Sequence, residues 1–206
     1  MQRVIQFGAG GHAKVVLEAL LGSDRGTLVT LLDDNPDAQA RSLSGIRVSG
    51  GREWLRDHWK AAPVVPAIGN NAARAEFVQW LLREGRSLRS VIHPSAVLSP
   101  SVTLGAGSFL AAGAVINAET VLGEAVIVNT AASVDHDCRI GALSHIAPGA
   151  RLCGGVTVGE RTLVGTGSAV IPGISIGSDV VIGAGSTVIA DVPSGARVAG
   201  CPARPI

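Results

Sequence analysis

The chain has 206 residues, with 17 basic and 16 acidic side chains scattered along it and a formal net charge of +1, so no polyanion-binding surface is advertised and nucleic acid is not an expected partner. Hydrophobic residues make up 47% and aromatics only 3%, so a buried core must be built from Val, Ile, Leu and Ala. No apolar stretch approaches the ~20 residues of a membrane span, the first apolar run ends at Phe7 without a signal peptide's basic start, and three cysteines (Cys138, Cys153, Cys201) without paired metal spacing suggest a reduced, cytoplasmic protein.

Residues 1–91 read as one domain. Its pattern predicts a strand at Arg3–Phe7, a helix at His12–Leu21, a strand at Leu28–Asp33, a short helix around Glu53–Trp59, a strand at Val64–Ile68, a helix at Ala72–Arg83 and a strand at Leu88–Ile92. Strands alternating with helices imply a parallel sheet with right-handed crossovers, a Rossmann-like α/β domain about half the size of a full dinucleotide-binding fold.

Residues 92–206 read differently. Every sixth residue from Ile92 to Val188 is aliphatic, and two places before each beat stands a mostly small or β-branched residue, for example Ser108, Ala132, Cys138 and Ser144. A period of six is the signature of a parallel β-helix, with both residues pointing inward from a short strand. Glycine often follows the aliphatic residue, as at Gly105, Gly123, Gly141, Gly159, Gly165, Gly177 and Gly183, where the chain is expected to turn. At three beats per coil this makes roughly five to six coils, a prism on the order of 27 Å tall. The tail Asp191–Ile206 carries Pro193, Pro202 and Pro205, so it is expected to leave the ladder and fold back. A single prism is expected to offer no concave pocket, which makes a cyclic homo-oligomer with sites between subunits the economical expectation.

Chemistry concentrates at few places. Gly8, Gly10 and Ala13 satisfy G-x-G-x-x-[G/A] between the first strand and helix, and Asp33 lies 20 residues further on, as a ribose-binding acid would. Either a pyrophosphate sits at this helix N-terminus or the segment is only a tight turn. Asp33-Asp34-Asn35 and Gly69-Asn70-Asn71 end the next two strands, where ligands bind in open α/β sheets. In the coils, Asp135-His136-Asp137 is followed nine residues later by His145. The beat puts His136 at a turn and His145 on an outward face. An imidazole beside a carboxylate serves as general base near neutral pH, although an acid-flanked histidine also suits a solvated corner. Asp137 reaches His136 only if the turn bends the two together. His58 and His93 read as structural.

Gly8-Ala9-Gly10-Gly11-His12, Leu32-Asp33-Asp34-Asn35, Ala67-Ile68-Gly69-Asn70-Asn71, Asn129-Thr130, His136-Asp137, His145 and Gly200-Cys201-Pro202-Ala203-Arg204 form an ordered set more specific than hexads alone. With it the whole chain resembles the nucleotide-sugar acetyltransferases of the hexapeptide-repeat superfamily, which include UDP-4-amino-sugar N-acetyltransferases and a sialic acid O-acetyltransferase-like group. The resemblance implies a left-handed β-helix prism, a homotrimer, acetyl-CoA as cosubstrate and no metal. It implies a nucleotide sugar held by Gly10, Gly11, His12, Asp33, Asp34 and Gly69, with Asn129 facing the sugar. Acetyl-CoA would touch His145, Gly154, Thr166 and Ala184. His136 would be the general base, and Asp137 its partner where relatives often carry Glu. The implied reaction is N-acetylation of a UDP-4-amino-4,6-dideoxy sugar or a GDP-perosamine type sugar in bacterial glycan biosynthesis. Sugar O-acetylation and a non-catalytic β-helix binding module stay open. An NAD-linked enzyme is disfavoured by the size of the first domain, and a metal hydrolyase like the gamma-type carbonic anhydrases by only two coil histidines.

Overall fold

The computed structural model describes residues 3–24 and 26–206. The first two residues of the predicted N-terminal domain, and Arg25, lie outside the described residues. Two compact units divide the chain, Met1–Pro94 and Ser95–Ile206.

The first unit runs β1 (Arg3–Phe7), α1 (Gly11–Ser23), β2 (Leu28–Leu32), α2 (Pro36–Gln39), β3 (Ser42–Leu43), β4 (Ile46–Arg47), α3 (Arg52–Asp57), β5 (Val64–Pro66), α4 (Asn71–Arg83) and β6 (Val91–Ile92). A parallel sheet of order β2-β1-β5 forms its centre. Four consecutive buried residues in β1 fit a strand covered on both faces. The helix α1 buries Ala13, Val16, Leu17 and Leu20 on one stripe. In α4 the Asn70 side chain caps the helix by accepting the Ala73 N–H at 3.0 Å. Ile5, Phe7, Leu32, Val64, Phe77 and Leu81 form the core, with the Phe7 and Phe77 rings stacked at 3.9 Å.

Three features depart from expectation. The helix α2 starts at Pro36 under an Asn35 cap but is too short to show a period. The hairpin β3–β4 turns through Ser44 and Gly45, both at positive φ, the pairing that matches strand twist. The last strand is shorter than predicted, because Leu88 makes only one bridge, to Val64.

The second unit is a parallel β-helix of two-residue strands, from Val97–Leu98 to Thr187–Val188. Ser133 pairs with Val115 below and Arg151 above, so one coil spans 18 residues. The beat is buried from Leu110 to Val188 and half-buried at Leu98 and Leu104, whose first coil has a neighbouring coil on one side only. Ile92 is a correction: it is 37% exposed, and Val91 is the buried residue there.

The backbone carries a second six-residue period. From Gly107 to Gly185 every sixth residue has φ between 50 and 74°, whether it is Gly, Ala, Asp, Glu, Leu or Arg. These residues make the corners. The chain turns within two residues of the glycines that follow the aliphatic beats, as expected, and these glycines have a further role: a Cβ on Gly141 would stand 2.6 Å from the Glu160 nitrogen, and one on Gly159 2.4 Å from that of Ser178. They let consecutive coils stack. The small inward positions satisfy buried backbone groups. Ser144 Oγ donates to the Gly159 carbonyl at 2.7 Å and accepts the Thr162 N–H at 3.1 Å, and Thr162 repeats this one coil on. Cys138 takes the same place, its thiol donating to the Cys153 carbonyl at 3.2 Å.

The tail also departs from expectation. Val192 bridges Ile176, Arg197–Ala199 pairs in parallel with Val181–Ile182, and only then does Arg204–Pro205 return antiparallel. The ladder continues because Pro193 falls between paired segments and Pro205 lies on an outer strand. A cavity of about 200 Å³ opens there, lined by Val188, Val192, Val198, Ala203 and Pro205, so the single prism does have a concavity. No helix among the described residues is long and apolar enough to cross a membrane.

Candidate active site

Because β1 lies between β2 and β5, the loops that follow the three strands are neighbours. They enclose a crevice of about 260 Å³ lined by Gly8, Gly10, Gly11, His12, Asp33 and Gly69, at the α1 N-terminus where unpaired N–H groups favour anions. The glycines divide by role. Gly8 has φ +116° and its Cβ would stand 2.5 Å from the Ala67 oxygen, so the sheet itself requires it. A Cβ on Gly10 or Gly11 would meet nothing within 4 Å, which leaves the backbone open to a ligand.

The paired aspartates separate. Asp33 braces the crevice: Oδ2 accepts the Ala9 N–H at 2.7 Å and Oδ1 the Asn35 N–H at 2.8 Å. Asp34 belongs to a neighbouring cavity of about 440 Å³ with Gln39, Gly51, Arg52 and Trp54. Its carboxylate accepts the Arg52 backbone N–H at 2.8 Å and stands 2.7 Å from Arg52 Nε. Burial first, and the Arg74 charge second, push His12 from its ordinary 6.5 down to about 4, so its imidazole is neutral at physiological pH. Arg74 escaped the sequence reading. It is fully buried, donates to the Ile68 and Gly69 carbonyls at 2.9 and 3.3 Å and to Asn71 Oδ1 at 2.9 Å, and burial lowers its own pKa to about 10. His58 Nδ1 donates to the Trp54 carbonyl at 2.8 Å, and its ring stacks on that of Trp54.

In the coils the left-handed corner answers whether Asp137 reaches His136. Asp137 sits at φ 58°, which swings its carboxylate back until Oδ2 lies 2.7 Å from His136 Nδ1. A carboxylate only accepts, so Nδ1 carries the proton and Nε2 the lone pair. The Asp137 hydrogen bond, then the Asp135 charge, raise the His136 pKa. Asp135 had no role of its own in the sequence reading: its Oδ1 accepts both the His136 N–H and an Asn117 Nδ2–H, each at 2.9 Å. One coil further on, a Cβ on Gly154 would lie 2.6 Å from the His136 ring, so the imidazole rests over that glycine.

A second group forms elsewhere on the prism. Half-buried His145 meets Asn129, whose Nδ2 lies 3.0 Å from His145 Nε2, and Asn129 Oδ1 accepts the Thr130 N–H at 2.8 Å. Thr130, Pro148, Thr166 and Ala184 stack on the adjoining corner, tied through the Gly149, Gly167 and Gly185 N–H groups. His136, Asp137 and Gly154 therefore share one corner, and Asn129, His145, Thr166 and Ala184 gather at another. The nine residues from His136 to His145 are one and a half beats, which carries the chain past a corner onto the next face. Among the described residues no group of three or more His, Cys, Asp or Glu is arranged to hold a metal ion.

The PglD N-terminal domain family matches residues 3–81, and the hexapeptide repeat of succinyl-transferase matches residues 155–190. UDP-N-acetylbacillosamine N-acetyltransferase from Bacillus subtilis (strain 168) is 37% identical over 109 residues, 48% of this chain and 46% of that protein, so the match spans about half the length of that curated relative. The acetyltransferase domain of PglB from Neisseria gonorrhoeae FA1090, solved in complex with acetyl coenzyme A, is 39% identical with TM-score 0.92, covering 100% of this chain and 99% of that one. PerB from Caulobacter crescentus, solved in complex with CoA and GDP-perosamine, is 41% identical with TM-score 0.92, covering 100% and 98%.

Proposed function

The chain belongs to the nucleotide-sugar acetyltransferase family of the hexapeptide-repeat superfamily, and we propose that it transfers the acetyl group of acetyl-CoA to the amino group of a nucleotide-linked 4-amino sugar with His136 as general base. The observation that carries this reading is the 2.7 Å contact between His136 Nδ1 and Asp137, which orients the ring and leaves Nε2 as the basic atom.

In the step, the neutral amine attacks the thioester carbonyl while Nε2 of His136 takes its proton. The C–N bond forms, the C–S bond breaks, and the proton passes to the departing CoA sulfur. A backbone amide or His145 stabilises the tetrahedral oxyanion. No covalent acyl-enzyme is required.

Gly10, Gly11, His12 and Gly69 hold the nucleotide diphosphate, Asp33 keeps their loop in place and Asp34 borders the adjoining cavity. Asn129 faces the sugar, and His145, Gly154, Thr166 and Ala184 contact acetyl-CoA. Because His136 lies at one corner of the prism and His145 on a different face, a site that uses both takes them from two copies, and the homotrimer that the family resemblance implies would supply them. The substrate class is a UDP-4-amino-4,6-dideoxy sugar or a GDP-linked sugar of the perosamine type, and cytoplasmic bacterial glycan biosynthesis is the setting it implies.

The test is a panel of UDP-, GDP- and CMP-sugars, with and without a 4-amino group, scored for release of the free CoA thiol and for product mass. Release only with 4-amino sugars supports the reading. Acetylation of sugars that carry hydroxyls alone would make the protein an O-acetyltransferase, and no release with any sugar would leave a binding module.

A further inference from the structure

We propose that Asp135, gripped by Asn117, is a positioning residue for His136: it fixes the corner from which the imidazole meets Asp137. The proposal rests on the reading of His136 as base. Two residues of the coil below hold Asp135 at two points. Asn117 Nδ2 donates to its carboxylate at 2.9 Å, and Thr120 Oγ1 donates to its main-chain carbonyl at 2.7 Å. The same carboxylate oxygen accepts the His136 N–H at 2.9 Å. From the coil above, the Gly155 N–H donates to the His136 carbonyl at 2.9 Å. The backbone on both sides of the imidazole is thus pinned to neighbouring coils: the Asp137 N–H donates to the Ala118 carbonyl at 3.0 Å on the C-terminal side, and Asp135 carries the lower hold into His136 on the N-terminal side.

The position also has an electrostatic side. Hydrogen bonds from Asn117 and from the His136 N–H keep the Asp135 carboxyl below the usual carboxylate range, so it stays ionised beside the base. The titratable groups around the imidazole are Asp135 and Asp137 on its own coil, Glu119 in the column below Asp137, Cys138 beneath the corner and Cys153 in the coil above. Of these, Asp137 and Asp135 supply the negative charge that favours the protonated ring.

Three variants separate geometry from charge. Asp135→Ala removes the hold, and kcat is expected to fall about tenfold or more with KM for acetyl-CoA unchanged, since a displacement near 1 Å is enough for such losses. Asp135→Asn keeps an acceptor for both N–H groups, so it recovers most of kcat while the acid limb of the kcat profile moves to lower pH. Asn117→Ala, at an exposed position, lowers kcat several-fold with the limb in place, and it carries the test if Asp135→Ala fails to fold. His136→Ala is the control, expected to lose roughly 10²–10⁴-fold. Near-normal turnover in His136→Ala overturns the general-base reading itself. A large loss in His136→Ala together with wild-type kcat in the folded Asp135 and Asn117 variants overturns this proposal alone, as does a lowered Tm in them with no change in kcat or pH profile.

Discussion

A Cβ on Gly154 would stand 2.6 Å from both Cε1 and Nε2 of His136, so the imidazole occupies the space that any side chain at position 154 would claim. Gly154 does not have a positive φ, and alanine is compatible with its backbone. What must yield is the ring, the movable end of an exposed side chain. Gly154→Ala is therefore expected to lower kcat about 10²-fold by turning Nε2 away, while Tm changes by no more than about 2 °C. Thermal melts beside steady-state kinetics check this; parallel losses of stability and activity would assign the glycine to coil stacking instead.

Asp33 is expected to matter through the loop it holds. In Asp33→Ala the Ala9 and Asn35 N–H groups lose a charged acceptor, and hydrogen bonds to charged groups contribute about 1.5–3 kcal/mol each. Nucleotide affinity should fall tenfold or more and acetyl-CoA affinity should stay unchanged. Titration calorimetry with UDP, GDP and acetyl-CoA reads both, and unchanged nucleotide affinity would detach the crevice from substrate binding. Asp34→Ala disturbs an ion pair whose carboxylate is about half exposed, so its effect on stability should stay below about 1 kcal/mol.

His12 predicts an acid limb in stability. Its folded pKa, about 4, lies below its ordinary 6.5. Above pH 6.5 the ring is neutral in both folded and unfolded chains and contributes no penalty. As pH falls from 6.5 toward 4 the unfolded chain binds a proton that the folded one refuses, so stability drops, by an amount on the order of a few kcal/mol once pH is below 4. Denaturant melts across this window should show a shallower decline in His12→Gln than in the parent chain. Identical slopes would mean that His12 ionises freely in the fold.

The stacking glycines offer a control on the coil geometry. In Gly159→Ala the new methyl would stand 2.4 Å from the Ser178 nitrogen, against backbone that cannot swing aside, and a loss of about 1–3 kcal/mol is expected. Gly167→Ala, at φ +67° with open space around it, should cost about 1–2 kcal/mol through the left-handed torsion alone. Urea titrations of the two variants rank them.

What was legible in the sequence was what side-chain identity has to satisfy. The aliphatic beat had to be written in Val, Ile and Leu because Leu110 to Val188 fill a closed interior. The glycine loop, Asp33 and Gly69 were legible because the strand order brings their loops together. Relations carried by main-chain atoms stayed hidden. Arg74 read as an ordinary helix residue because its partners are mostly carbonyl oxygens. Asp135 read as a flank of His136 because its partner, Asn117, stands 18 residues earlier. The left-handed corners left no signature, since Ala125, Asp137, Leu143 and Arg161 all take the same torsion. The prolines of the tail hid a strand that pairs between them.

The 18-residue coil has a consequence for how such a protein can change length. One residue inserted between Asn117 and Asp135 must be expelled as a blister at a corner, or the two lose each other. A whole circuit duplicated beyond Gly173 leaves every partner of His136 where it was. The prism is in this sense a counted object: its height is free to drift in whole circuits, while the few residues that meet around one imidazole are locked to a phase.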